Sequence, residues 1–80
     1  MNNVENIISS MNAGKSFVTI TGKNEIFIEN FTRLIDYNED KIIIQNKEYK
    51  IFITGKKLKI EYFNADDMFI RGMISNIEYL

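Results

Sequence analysis

The sequence predicts an all-β domain: a small antiparallel meander of hairpins, forming a sandwich or a partly open barrel, with a short helix at its N-terminus. Three observations predict it. From Phe17 onward apolar residues alternate with polar ones, the period of strands with one buried face. The runs are short, rich in β-branched and aromatic residues, and separated by Gly, Asn and Asp in a chain without proline. One phrase also recurs, as ITGKNEIFIENF at 20–31, ITGKKLKIEYF at 53–63 and IRGMISNIEYL at 70–80.

The N-terminal segment differs from the rest. Val4, Ile7, Ile8 and Met11 fall at i, i+3, i+4 and i+7, one stripe of a helix. Asn2 or Asn3 supplies a cap and Gly14 a stop. A helix this short is marginal alone in water. It is expected to dock, either on its own sheet or on a partner. Residues 1–14 are therefore read as an amphipathic arm and 15–80 as the β domain.

Strands are expected near 17–22, 25–31, 33–37, 41–46, 48–54, 57–63, 68–71 and 73–79. Gly22-Lys23-Asn24, Asn38-Glu39-Asp40, Asn46-Lys47, Gly55-Lys56 and Asn64-Ala65-Asp66-Asp67 supply the turns. In the clearest strand Leu58, Ile60 and Tyr62 oppose Lys57, Lys59 and Glu61. Other strands are apolar on both sides. Phe27 opposes Ile26 and Ile28, Ile43 opposes Ile42 and Ile44, and Phe52 opposes Ile51 and Ile53. A second apolar face follows, available to the helix, to a curled sheet or to another subunit. With Val4, Ile7, Ile8 and Met11 it makes up the expected interaction surface.

The recurring phrase has a physical reading. Ile53, Gly55, Ile60, Glu61 and Tyr62 recur seventeen residues on as Ile70, Gly72, Ile77, Glu78 and Tyr79. The first copy holds Gly22, and a fainter one begins at Ile35 with Asn38-Glu39-Asp40 as its turn. Gly22, Gly55 and Gly72 are read as turn or bulge glycines. No G-x-x-x-x-G-K-[ST] pattern accompanies the ITGK sequences, so a phosphate loop is not expected. A period of about 17 residues also fits a β-solenoid-like coil, with Ile60 stacked on Ile77. The two-residue breaks at Asn46-Lys47 and Gly55-Lys56 favour hairpins instead.

Composition narrows the function classes. The chain has 80 residues, no cysteine and no histidine. It thus lacks disulfides, thiolate sites and the commonest catalytic base and metal ligand. Ser9, Ser10, Ser16 and Ser75 have no histidine to activate them. Asp66-Asp67 lacks calcium-loop spacing and reads as a turn. The expectation is a protein that is not an enzyme and has no cofactor and no metal. The formal net charge is −1, against a nucleic-acid footprint. Lys56, Lys57 and Lys59 with Tyr62 and Phe63 carry the alternative, a small barrel binding single-stranded nucleic acid. A lysine-blunted wet face is the preferred reading. No apolar run is long enough to span a bilayer, and the N-terminus has no basic start, so a cytoplasmic protein without membrane insertion is expected.

Residues 17–80 resemble the YabP/YqfC family of sporulation proteins. The resemblance rests on an ordered set: Ile20, Gly22, Ile28, Glu29 and Asn30, a middle stretch RLIDYNEDKIIIQ, then Ile53, Gly55, Lys56, Leu58 and Ile60, an acidic loop at Asp66, and Ile70, Gly72, Ile74, Ile77, Tyr79 and Leu80. The Ile-Glu-Asn element is closer to the YqfC branch. Phe31-Thr32-Arg33-Leu34 departs from it, where YqfC-like chains carry a short basic or glycine-containing stretch. The resemblance implies a non-enzymatic protein of the mother cell, acting in spore-envelope (cortex or coat) assembly at the forespore membrane surface. The implied partners are a second copy of the chain, a membrane protein of the sporulation machinery, or both.

Overall fold

The computed structural model describes residues 14–80. Six strands follow one another: β1 (Phe17–Thr21), β2 (Glu25–Glu29), β3 (Arg33–Tyr37), β4 (Lys41–Gln45), β5 (Lys50–Phe63) and β6 (Asp67–Tyr79). They form one open sheet in the order β1-β2-β6-β5-β4-β3, and every neighbouring pair is antiparallel. The all-β antiparallel expectation holds. The solenoid does not, because a coil needs parallel stacking. Ile60 lies opposite Ile70, and Ile53 opposite Ile77. The sheet is not closed into a barrel, since β1 and β3 are its two edges. The expected N-terminal helix, with Val4, Ile7, Ile8 and Met11, lies outside the described residues.

Two expected turns are absent. The strands expected at 48–54 and 57–63 form one strand, β5, and those at 68–71 and 73–79 form β6. Gly55 and Gly72 do not reverse the chain. Each sits where another backbone comes too close for a side chain. A Cβ on Gly55 would lie 2.0 Å from the Met73 carbonyl oxygen, and one on Gly72 would lie 2.7 Å from that of Lys57. Gly22 is the glycine that turns, with φ of 59° between β1 and β2. The actual β5–β6 reversal is Asn64-Ala65-Asp66, where the Asn64 side chain accepts the Asp66 and Asp67 N–H groups, both at 2.8 Å.

The alternation of side chains explains why β5 bends without turning. Ile51 and Ile53 are inward at odd positions, yet Leu58 is inward at an even one. Alternation along a strand changes parity only through an extra residue. The register shift between Lys56 and Lys59, where three steps along β5 face two along β6, supplies it, with Lys57 at φ of 55°. Leu58 is thereby aimed inward and is only 2% exposed.

The strand order conceals a two-fold relation. Exchanging β1 with β3, β2 with β4 and β6 with β5 returns the same order. Hydrogen bonds obey the exchange. The Gly72 N–H donates to Asn24 O and the Ile74 N–H to Lys23 O, both at 3.0 Å; the Gly55 N–H donates to Asp40 O at 3.0 Å and the Leu58 N–H to Glu39 O at 2.8 Å. Each short hairpin thus extends its ladder through its turn onto a bulging long strand. The core obeys the exchange too. Ile26 and Ile28 of β2 correspond to Ile42 and Ile44 of β4, and Met68 and Ile70 of β6 to Ile51 and Ile53 of β5, all fully buried in one cluster. Phrase copies seventeen residues apart are the two arms of the long hairpin. The fainter copy at Asn38-Glu39-Asp40 is the true counterpart of the Gly22-Lys23-Asn24 turn.

Candidate interaction surfaces

Because inward positions fill the core, the alternate residues of the same strands form the outer face. On the β1-β2-β6 half, Phe27 lies between Thr19 and Phe69 in the ladder. The Phe27 and Phe69 rings meet edge-on at 6.5 Å, Tyr62 packs on Phe69 at 6.0 Å, and the Arg71 guanidinium stands 5.3 Å from the Phe69 ring centroid. Arg71 also pairs with Glu25 at 3.4 Å. On the other half Ile43 lies opposite Phe52, with Glu78 beyond it. Phe27, Ile43 and Phe52 are half-buried. On the outer face these three fall in two separate patches rather than one stripe, Phe27 with Phe69 and Ile43 with Phe52. Phe69 and Tyr62 were not anticipated there. Their cross-strand positions depend on a β5–β6 register that carries three shifts.

The lysine cluster and the aromatic pair Tyr62–Phe63 do not line one cleft. Lys57 and Lys59 line a cleft of about 290 Å³ with Tyr37, Glu39 and Leu58. The Tyr37 hydroxyl accepts the Ile60 N–H at 3.1 Å. Tyr62 and Phe63 sit farther along β5, opposite Phe69 and Met68. The acidic turns have backbone work: Asp66 O accepts the N–H groups of Asn30 and Phe31 at 2.6 and 3.1 Å, and Asn38 Oδ1 accepts those of Asp40 and Lys41 at 2.8 and 2.9 Å. Among the described residues no cluster of three acidic side chains is placed to hold a metal ion. Ser16 is structural as well, its hydroxyl donating to Asn30 O at 2.7 Å and accepting the Lys47 N–H at 2.9 Å. No described helix is long and apolar enough to cross a membrane.

The family model described as the YabP family matches residues 12–80, nearly the whole chain and every strand. The chain belongs to the YabP family. A curated YabP-family relative, "Uncharacterized protein YqfC" of Bacillus subtilis (strain 168), is 25% identical over 63 residues, covering 79% of this chain and 68% of the relative. No solved structure matches. The departure from the YqfC pattern at Phe31 has a structural place in this YabP-family chain. Phe31 is buried with the core, and its N–H is held by Asp66 O.

Proposed function

We propose that the protein is a non-enzymatic assembly module of sporulation, acting in the mother cell in spore-envelope (cortex or coat) assembly. It works by associating with itself, with a membrane protein at the forespore surface, or with both. The observation that carries this reading is the outer face. A small domain already holding a full inner core displays two further apolar patches, Phe27–Phe69–Tyr62 and Ile43–Phe52. Such patches on a small domain mark contact surfaces. The membership in the YabP family, a sporulation-associated family, gives the setting. The absence of histidine and cysteine from the sequence supports a role that is not catalytic.

The test is capture of partners from sporulating cells with wild-type chain and with Phe27→Glu and Phe52→Glu variants, alongside light scattering of the purified protein. The expected result is a specific membrane-protein or self-associated complex that at least one variant loses. A monomer that captures no sporulation protein would refute the proposal. Binding to single-stranded nucleic acid that weakens steeply with salt would favour the lysine-lined cleft instead.

A further inference from the structure

The two edges of the sheet are protected differently. A free edge presents unpaired N–H and C=O groups, and proteins blunt it with charges, bulges or cover. β3 has two of these devices. It carries Arg33 and Asp36, the latter paired with Lys41 at 3.4 Å, and its register breaks between Leu34 and Asp36. β1 has neither. Its sequence is FVTIT, and its register with β2 is unbroken from Phe17↔Glu29 to Thr21↔Glu25. Among the described residues no strand pairs with its outer side. Phe17 is 41% and Ile20 47% exposed, although Ile20 lies opposite the fully buried Ile26.

We infer that β1 pairs antiparallel with β1 of a second copy of this chain, about a two-fold axis at Thr19. This rests on the self-association arm of the proposed function and names its surface. The occupant follows from self-complementarity. An axis at Thr19 sets Thr19 opposite Thr19, Val18 opposite Ile20, and Phe17 opposite Thr21. Hydroxyl meets hydroxyl, apolar meets apolar and aromatic meets β-branched, each a favourable cross-strand pair, and β1 itself carries no charged residue. Val18 already packs against the core. The Val18–Ile20 pairs therefore extend the inner apolar face across the junction and cover Ile20. The arrangement also terminates. The joined sheet ends at two β3 strands, each bulged and charged, so the assembly closes as a two-fold dimer and does not propagate.

The test uses the full chain. Sedimentation is measured over a concentration series for wild type, Thr19→Glu, Thr19→Lys and an equimolar mixture of the two variants. The expected wild type is a dimer. Each variant weakens dimerisation by at least about tenfold, because like charges face each other across the axis, and the mixture restores it to within about threefold of wild type. A second readout exploits the absence of cysteine. Under mild oxidation Thr19→Cys forms a disulfide between copies, since facing strand residues lie within disulfide reach, and Ile35→Cys on β3 does not. A wild type that stays monomeric would overturn both this inference and the self-association reading. A dimer indifferent to Thr19→Glu and Thr19→Lys, or lost only when residues 1–13 are removed, would overturn the β1 pairing while leaving self-association intact. A mixture no tighter than either variant alone would overturn the axis at Thr19.

Discussion

The half built from β1, β2 and β6 and the half built from β3, β4 and β5 solve one packing problem twice. Their isoleucines, their turn-to-strand hydrogen bonds and their crowded glycines correspond. Their outsides do not. One half ends in an uncharged, regular edge with an aromatic cluster beside it; the other ends in a bulged, charged edge beside an Ile–Phe pair. What the halves share is what the fold needs. What they do not share is where a contact surface can be specified, because a symmetric core places no demand on its outer residues.

The comparison breaks most severely at the crossing glycines. Gly55→Ala places a methyl group 2.0 Å from a backbone carbonyl oxygen in the middle of the long hairpin. Backbone cannot yield as a flexible side chain does, so a loss of about 4 kcal/mol or more is expected, in the range of exceptional single mutations. Gly72→Ala meets backbone at 2.7 and 2.8 Å and is expected to be nearly as damaging. Gly22→Ala meets nothing within 4 Å and bears only its positive φ, for about 1 kcal/mol. Urea midpoints at one fixed protein concentration order the three. A Gly22 variant as damaging as Gly55 would contradict the distinction between turning and crossing glycines.

The core pairs sharpen the comparison. Ile53 and Ile70 occupy corresponding places and are both fully buried. Truncating either to alanine is expected to cost about 3 kcal/mol. The two losses should agree to within about 1 kcal/mol, because transfer and cavity terms both scale with surroundings that the halves share. A much larger gap would show that the two-fold relation is one of topology only, without equivalent packing.

Much of this was legible in the residues. Alternation identified the strands and the inward isoleucines, and the offset of seventeen residues between Ile53-x-Gly55 and Ile70-x-Gly72 carried the two-fold relation. The long hairpin was not read correctly, for a physical reason. Gly-Lys between two apolar runs has the same local chemistry whether the chain turns or bulges. The distinguishing signal was the change from odd inward positions at Ile51 and Ile53 to even ones at Leu58 and Ile60, which a bulge explains and a tight turn need not. On the candidate surface, Phe27, Ile43 and Phe52 were readable because each interrupts a core strand. Phe69 and Tyr62 were not, since their meeting depends on the β5–β6 register. The exposure of β1 was equally illegible, because an edge is a property of strand order.

The smallest expected effect separates two asparagines at matching places. Asn30 follows β2 and Asn46 follows β4. The Asn30 N–H donates to Asp66 O at 2.6 Å, and that of Asn46 to Tyr49 O at 2.8 Å. Their side chains diverge. Asn30 adopts φ of 64°, and its Nδ2 donates to Lys15 O at 2.7 Å. Asn46 is 1% exposed, and neither Nδ2 nor Oδ1 has a partner among the described residues. A buried amide left unpaired carries a desolvation penalty of about 1–3 kcal/mol, which an apolar group of similar shape does not. Asn46→Leu should therefore be neutral or stabilising by about 1 kcal/mol, whereas Asn30→Ala should cost about 1–2 kcal/mol through its lost bond and its positive φ. Asn30→Gly, which relieves the φ, should recover part of that loss. If Asn46→Leu instead costs 2 kcal/mol or more in full-length chain but nothing after removal of residues 1–13, the amide is held by that segment, and the arm docks at the β4–β5 end of the sheet.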